Sequence, residues 1–260
     1  MDIAPQPPEL TATTVARDRL RVRYAVIGAA GLVVGIWLAW LGAWLLGWDM
    51  DDLGIRPRDA HGLIGILSAP FVHASFEHLM SNTLPLGLLA ALTLYAYPRA
   101  TRWALPVIWI GSGLGVWIWA RASVHVGISG VTVGLMTFLF LIGLLRRDRL
   151  GVAIALLVFF LYGGMLMSVL PHEQHVSFEY HFFGALAGVI AAIGLRSFDP
   201  QPPRKRYSWE EEEESAAADE LEPAPPQNVP VLWDGPSRRV VGGDNIVPFR
   251  ARREDGETLH

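Results

Sequence analysis

A serine and a histidine, each near the start of an uncharged stretch, could form a nucleophile and its general base. Ser129 lies in a Gly-x-Ser-Gly run, and His181 opens a His-x-x-Gly-x-x-x-Gly run. A Ser–His pair within hydrogen-bonding reach supports acyl transfer, because the imidazole takes the hydroxyl proton as the oxygen attacks a carbonyl. Glu179 is the nearest acid to His181, but residues two apart on a helix point away from each other. The sequence therefore predicts a dyad rather than a triad.

Acyl transfer also needs hydrogen-bond donors for the negative charge that develops on the carbonyl oxygen. His78 and Asn82 stand four residues apart, so on a helix they share one face. The backbone N–H of Ser129 is a further donor if Ser129 begins a helix, where the first N–H groups lack intrahelical acceptors. We expect these three groups to form an oxyanion site.

Glycines explain how Ser129 and His181 could meet. Gly130 and Gly134 form a small face on one predicted helix, and Gly184 and Gly188 form another. Membrane helices that pack through such faces approach each other closely. The pattern therefore predicts that the helices carrying the serine and the histidine are in direct contact.

The elements that hold these residues are predicted to be membrane-spanning helices. The 260 residues are 52% hydrophobic and only 18% charged, below the quarter or so that is usual in soluble domains. About 20 apolar residues cross a bilayer as a helix; five stretches are near that length and a sixth is shorter. The prediction is an all-α polytopic membrane protein, with a short apolar loop at 62–72 and spans at 24–48, 79–98, 103–120, 126–145, 150–171 and 180–195.

The distribution of basic residues predicts the orientation of these spans. Alternate loops hold thirteen Lys and Arg residues, whereas the opposite loops hold three. Because basic loops stay in the cytoplasm, both termini are predicted to be cytoplasmic. Ser129, His181, His78 and Asn82 would then all lie near the outward face, and the protein is expected in a bacterial cytoplasmic membrane.

Three regions follow: a cytoplasmic segment at 1–23, a membrane domain at 24–197 and a tail at 198–260. The tail holds 14 of the 25 acidic residues and 9 of the 18 prolines. Such a composition buries too little apolar surface to fold, so a disordered cytoplasmic tail is predicted. Two apolar islands at 229–233 and 245–249 are either motifs for an unknown tail-binding protein or parts of a solvated chain.

Several other classes of function are disfavoured. The membrane domain has no concentrated cationic face for nucleic acid, and the chain has no Cys for thiol catalysis or thiolate metal sites. His172 and His175 lack the His-Glu-x-x-His spacing of a helical zinc site. No metal and no cofactor is therefore expected.

Three motifs together resemble the rhomboid intramembrane serine proteases: HxxxxHxxxN from His73, GxSG from Gly127, and HxxGxxxG from His181. The resemblance covers about 60–197 and implies a six-helix rhomboid-like bundle with a water-accessible crevice. It implies that Ser129 is the nucleophile, and that His181 is the general base and then the acid. The remaining family positions are His78 and Asn82 as oxyanion donors, and His73, Gly127, Gly130, Gly184 and Gly188 as structural or water-organising residues.

The predicted function is an intramembrane serine endopeptidase that cleaves single-span proteins near the outward face of the bilayer. The main alternative is a catalytically idle rhomboid-like protein that binds transmembrane helices for transport or quality control. A transporter with proton-relaying histidines is a weaker alternative. Individual residues also have simpler interpretations: Ser129 could only cap a helix, and His78 with Asn82 could only tie helices together. The first outer loop has Arg56-Pro57-Arg58 where many family members have a Trp-Arg pair.

Overall fold

The structure is a computed structural model that describes residues 12–171 and 177–200. All the regular elements among these residues are helices, and none is a β-strand. Short 3-10 turns occur at Met50–Leu53, His61–Leu63, Ala69–Phe71 and Gly163–Val169. The α-helices are α1 (Ala12–Leu46), α2 (Gly65–Ser68), α3 (Phe76–Ala96), α4 (Pro98–Trp119), α5 (Ser129–Arg146), α6 (Arg149–Tyr162) and α7 (Phe178–Leu195).

Five of the described helical segments are long and apolar enough to cross a membrane: α1, α3, α5, α7, and α6 together with the turn that follows it. The helix α4 lies at the third predicted span, 103–120, and has 22 residues, but it is less apolar because it includes four Trp and two Arg. The protein is thus a multi-pass integral membrane protein, and the count of six spans stays a prediction.

Two helices differ from the predicted spans at their ends. The first helix begins at Ala12 rather than near residue 24, because nothing in the polar stretch before Tyr24 breaks a helix. Its early part also contacts the bundle, where the Tyr95 hydroxyl donates to Asp18 at 3.1 Å. The fifth predicted span divides at Gly163-Gly164, where α6 gives way to a 3-10 turn.

The helix α5 is the centre of the bundle. It is buried along most of its length and packs against α3, α4, α6 and α7. The helix α1 packs mainly against α3 and leaves most of its surface exposed. A helix enclosed on all sides can hold a side chain in a constant position, and Ser129 is the first residue of α5.

The helices α5 and α7 meet through the glycines that the sequence singled out. A Cβ at Gly134 would stand 2.8 Å from the Gly184 carbonyl oxygen, and one at Gly188 would overlap the Gly134 carbonyl. The Thr137 hydroxyl also lies 3.2 Å from the Ala185 carbonyl across this contact. The close approach therefore depends on the absence of side chains at these positions.

The segment between α1 and α3 packs against α4. The indole N–H of Trp109 donates to the Ile66 carbonyl at 3.2 Å, and the Trp109 ring contacts Phe71. Gly113 on α4 leaves space for Ile66. The apolar loop predicted at 62–72 is thus a series of short helical turns on the surface of α4.

At the end of the bundle away from Ser129, the buried guanidinium of Arg146 donates to the carbonyls of Arg196, Asp199 and Pro200. The Asp199 carboxylate accepts from the first backbone N–H groups of α4. Residues 198–200, which fall in the predicted tail, therefore contact the bundle. The tail from residue 201 onward and residues 1–11 lie outside the described part of the chain.

Candidate active site

Ser129 is held by a tight loop between α4 and α5. Two residues before it, Gly127 has a φ of 104°, a conformation that side chains other than glycine rarely adopt. A Cβ at Gly127 would stand 2.6 Å from the His78 ring. The glycine thus lets the loop pass directly beside His78 and deliver Ser129 to the first turn of α5.

His181 reaches Ser129 from the first turn of α7. Its Nε2 lies 2.8 Å from the Ser129 Oγ, and its Nδ1 lies 3.2 Å from the backbone carbonyl oxygen of Ser168. A carbonyl oxygen can only accept a hydrogen bond, so the proton of the neutral imidazole belongs on Nδ1. The lone pair of Nε2 then accepts the Ser129 hydroxyl hydrogen. This is the tautomer that a general base for Ser129 requires.

The Ser168 carbonyl is the orienting group that sequence reasoning missed. It lies in the 3-10 turn that follows α6. Every residue has a backbone carbonyl, so no sequence signal could have distinguished this one. Glu179, considered as a possible third member, instead pairs with Arg121, its Oε1 lying 3.4 Å from the Arg121 Nε.

His78 and Asn82 share one face of α3. The His78 ring lies against Gly127, and the Asn82 side-chain amide donates to the His78 backbone carbonyl at 2.9 Å. That bond uses one of the two amide hydrogens and leaves the other for a further acceptor. Asn82 is buried and His78 is partly exposed, so the two side chains lie at different depths on the same face of α3.

His73 precedes α3 and packs beside His78, with ring centroids 5.1 Å apart. It is 3% exposed, and neither ring nitrogen has a hydrogen-bond partner among the described residues. Burial, with a smaller effect of His78, lowers the pKa of His73 from 6.5 to about 4. His73 is therefore neutral at physiological pH.

Within residues 12–171 and 177–200, no three His, Asp or Glu side chains converge in the way a metal ion would need. His172 and His175 lie outside the described residues. The structure brings together a serine, three imidazoles, an amide and backbone groups. All of them lie near the first residues of α3, α5 and α7. Groups of these types can serve as the nucleophile, base and hydrogen-bond donors of acyl-transfer chemistry.

Comparison with known proteins identifies the same family as the three sequence motifs. The family model described as the Rhomboid domain matches residues 60–198. Uncharacterized proteins of Mycobacterium bovis and Mycobacterium tuberculosis are 37% identical over 194 residues, which are 70% of this chain and 81% of each relative. An uncharacterized protein of Mycobacterium leprae is 34% identical over 172 residues, 63% of this chain and 66% of its own length. No solved structure gives a significant match.

Proposed function

The chain belongs to the rhomboid family, and from this premise we propose that it is an intramembrane serine endopeptidase. The observation that carries the proposal is the hydrogen bond of 2.8 Å between Ser129 and His181, whose other nitrogen faces the Ser168 carbonyl. A serine that only caps its helix would not need a buried imidazole in this tautomer.

In the proposed reaction, the Ser129 oxygen attacks the carbonyl carbon of a substrate peptide bond while His181 Nε2 takes the hydroxyl proton. The oxyanion that forms accepts hydrogen bonds from the Ser129 N–H, His78 and Asn82. The His181 imidazolium then protonates the leaving amine. Water then attacks the resulting acyl-enzyme while His181 takes its proton. Collapse of this second intermediate releases the Ser129 hydroxyl and the carboxylic acid product. This chemistry uses the protein's own residues and needs no cofactor.

The substrates we propose are single-span membrane proteins. A transmembrane helix hides its carbonyls in hydrogen bonds, so a segment must unwind before Ser129 can reach a peptide bond. Substrates with small or helix-weakening residues near the cut should therefore be preferred. The site lies where α3, α5 and α7 begin. This supports a position near one membrane face, rather than the midplane expected of a proton-relaying transporter.

We also propose that this face is the outward one and that both termini are cytoplasmic, with six spans including α4. The support is the excess of Lys and Arg in the loops at the opposite face. The bacterial cytoplasmic membrane is the proposed location, in keeping with the mycobacterial relatives.

Cleavage of a single-span test substrate in lipid vesicles tests this function. Wild-type protein should cleave it, whereas Ser129→Ala and His181→Ala should each lower the rate at least about 1,000-fold because each removes one half of the dyad. Ser123→Ala, at an exposed serine six residues before Ser129, is the matched control and should cleave normally. A folded wild-type protein that binds the substrate without cleaving it would instead support the idle, helix-binding alternative.

A further inference from the structure

A second histidine–serine pair lies beside the first. The Nδ1 of His125 is 2.6 Å from the Oγ of Ser177. His125 precedes Ser129 by four residues, and Ser177 precedes His181 by four residues. The same two chain segments are therefore joined twice, with the histidine on opposite partners in the two pairs.

The direction of the hydrogen bonds in the second pair follows from its surroundings. The Nε2 of His125 lies 3.1 Å from the Arg121 carbonyl oxygen, which can only accept, so Nε2 carries the proton of the neutral ring. The Nδ1 lone pair then accepts the Ser177 hydroxyl hydrogen. In this orientation, a lone pair of the Ser177 Oγ is free to accept from the backbone N–H of Tyr180 at 3.2 Å.

Ser177 is thus the N-cap of α7, and His125 orients the hydroxyl that forms the cap. Tyr180, whose N–H is capped, is fully buried and its ring packs directly on Gly130, the residue after Ser129. The cap therefore acts on the turn of α7 that contacts the start of α5.

His125 itself is firmly held. It is 2% exposed, and its backbone exchanges two hydrogen bonds with Ile55, at 3.0 and 2.9 Å. The ion pair between Arg121 and Glu179 joins the same segments, but the Arg121 side chain is 43% exposed, so solvent weakens this pair. The contact between His125 and Ser177, which is partly buried and includes a buried imidazole, is the better candidate for fixing the geometry.

We propose that His125 and Ser177 are positioning residues, which hold the first turn of α7 where His181 can reach Ser129. The proposal rests on the proposed function of that dyad. Among the described residues, neither His125 nor Ser177 makes a hydrogen bond to the dyad side chains, although the Ser177 carbonyl accepts from the His181 backbone N–H at 3.3 Å. Both residues act through the helix start and the loop that carry them.

The test uses the full-length protein in detergent and measures the rate at which a fluorophosphonate probe labels Ser129, together with kcat and KM for a single-span substrate. Ser177→Ala and His125→Ala should each lower the labelling rate and kcat about tenfold at unchanged KM, because misplacing a base by a fraction of an ångström slows its reaction. The double variant should be no slower than either single variant, since the two residues form one contact. Ser177→Thr keeps the hydroxyl and should restore the rate.

Asp148→Ala is the matched control. Asp148 caps α6 by accepting from the Gly151 N–H at the far end of the bundle, so its loss removes a comparable cap without touching the dyad. Labelling of the folded Asp148→Ala protein should match that of the wild type. Thermal unfolding of every variant separates a slower reaction from a smaller folded fraction.

Wild-type labelling rates in folded Ser177→Ala or His125→Ala protein would overturn the positioning role, and so would losses that add in the double variant. These outcomes differ from failure of the proposed function, which appears in the wild type itself as labelling equal to that of Ser129→Ala. That result would remove the dyad and the positioning proposal together.

Discussion

Replacing Gly184 with alanine should separate α7 from α5 and slow the proposed reaction. A Cβ at Gly184 would overlap the Gly130 carbonyl oxygen and stand 2.8 Å from its carbonyl carbon, whereas ordinary contacts begin at 3.4 Å. Gly130 belongs to the enclosed helix α5, so α7 has to retreat by at least about 0.6 Å at this turn.

The retreat acts directly on the dyad. His181 lies three residues before Gly184 on α7, and its 2.8 Å bond to Ser129 would lengthen to about 3.4 Å, beyond a well-formed hydrogen bond. Since an error near 1 Å can lower a rate about 100-fold, we expect fluorophosphonate labelling of Ser129 to slow by about 10- to 100-fold. The overpacked contact should also lower the free energy of unfolding by about 1–3 kcal/mol.

The assay compares labelling rates per folded molecule, with thermal unfolding in the same detergent to determine the folded fraction. Gly194→Ala is the matched control. Gly194 lies on the same helix as Gly184, and a Cβ added there would have no neighbouring atom within 4 Å. It should label at the wild-type rate. Folded Gly184→Ala protein that labels as fast as Gly194→Ala would refute the dependence of the dyad on this glycine contact.

Three further predictions concern other parts of the molecule. Because His73 has a pKa of about 4 against 6.5 in the unfolded chain, the unfolded state binds the extra proton between these values. The free energy of unfolding should fall by up to about 3 kcal/mol as the pH drops from 6.5 to 4. His73→Phe should remove this part of the pH dependence, measured by thermal unfolding at a series of pH values. An equal dependence of stability on pH in His73→Phe and wild type would contradict the prediction. Arg146→Met should lower the free energy of unfolding by about 3 kcal/mol, since three carbonyls at 196–200 lose their donor, yet leave labelling of folded protein unchanged. Gly127→Ala should slow substrate cleavage at least about tenfold, because it strains a φ of 104° and displaces His78; unimpaired kcat in folded protein would argue against this.

The sequence was informative about the site because polar residues in membrane spans are few. Ser129, His78 and His181 were recognisable by type and spacing, and the glycine spacing on two helices indicated which of them pack together. Hydropathy located the apolar stretches, since length and composition alone decide whether a helix can cross a bilayer. It could not show that α1 extends back to Ala12, because a helix outside the bilayer needs no apolar pattern.

The parts that sequence could not predict depend on backbone atoms and on contacts between distant segments. The carbonyl of Ser168 orients His181, but a backbone oxygen leaves no trace in residue type. His125 and Ser177 lie 52 positions apart, in loops whose path the sequence pattern does not determine. The partner of Glu179 was also not predictable from the sequence, and only the structure shows that its carboxylate pairs with Arg121.

The most direct test of the dyad is to treat the folded wild-type protein with a fluorophosphonate and locate the adduct by mass spectrometry. We predict one adduct on Ser129, no adduct in Ser129→Ala, and a labelling rate at least about 1,000-fold lower in His181→Ala. Equal labelling of wild type and Ser129→Ala, an adduct on another residue, or a folded wild-type protein that does not react would contradict the assignment of Ser129 and His181 as nucleophile and base.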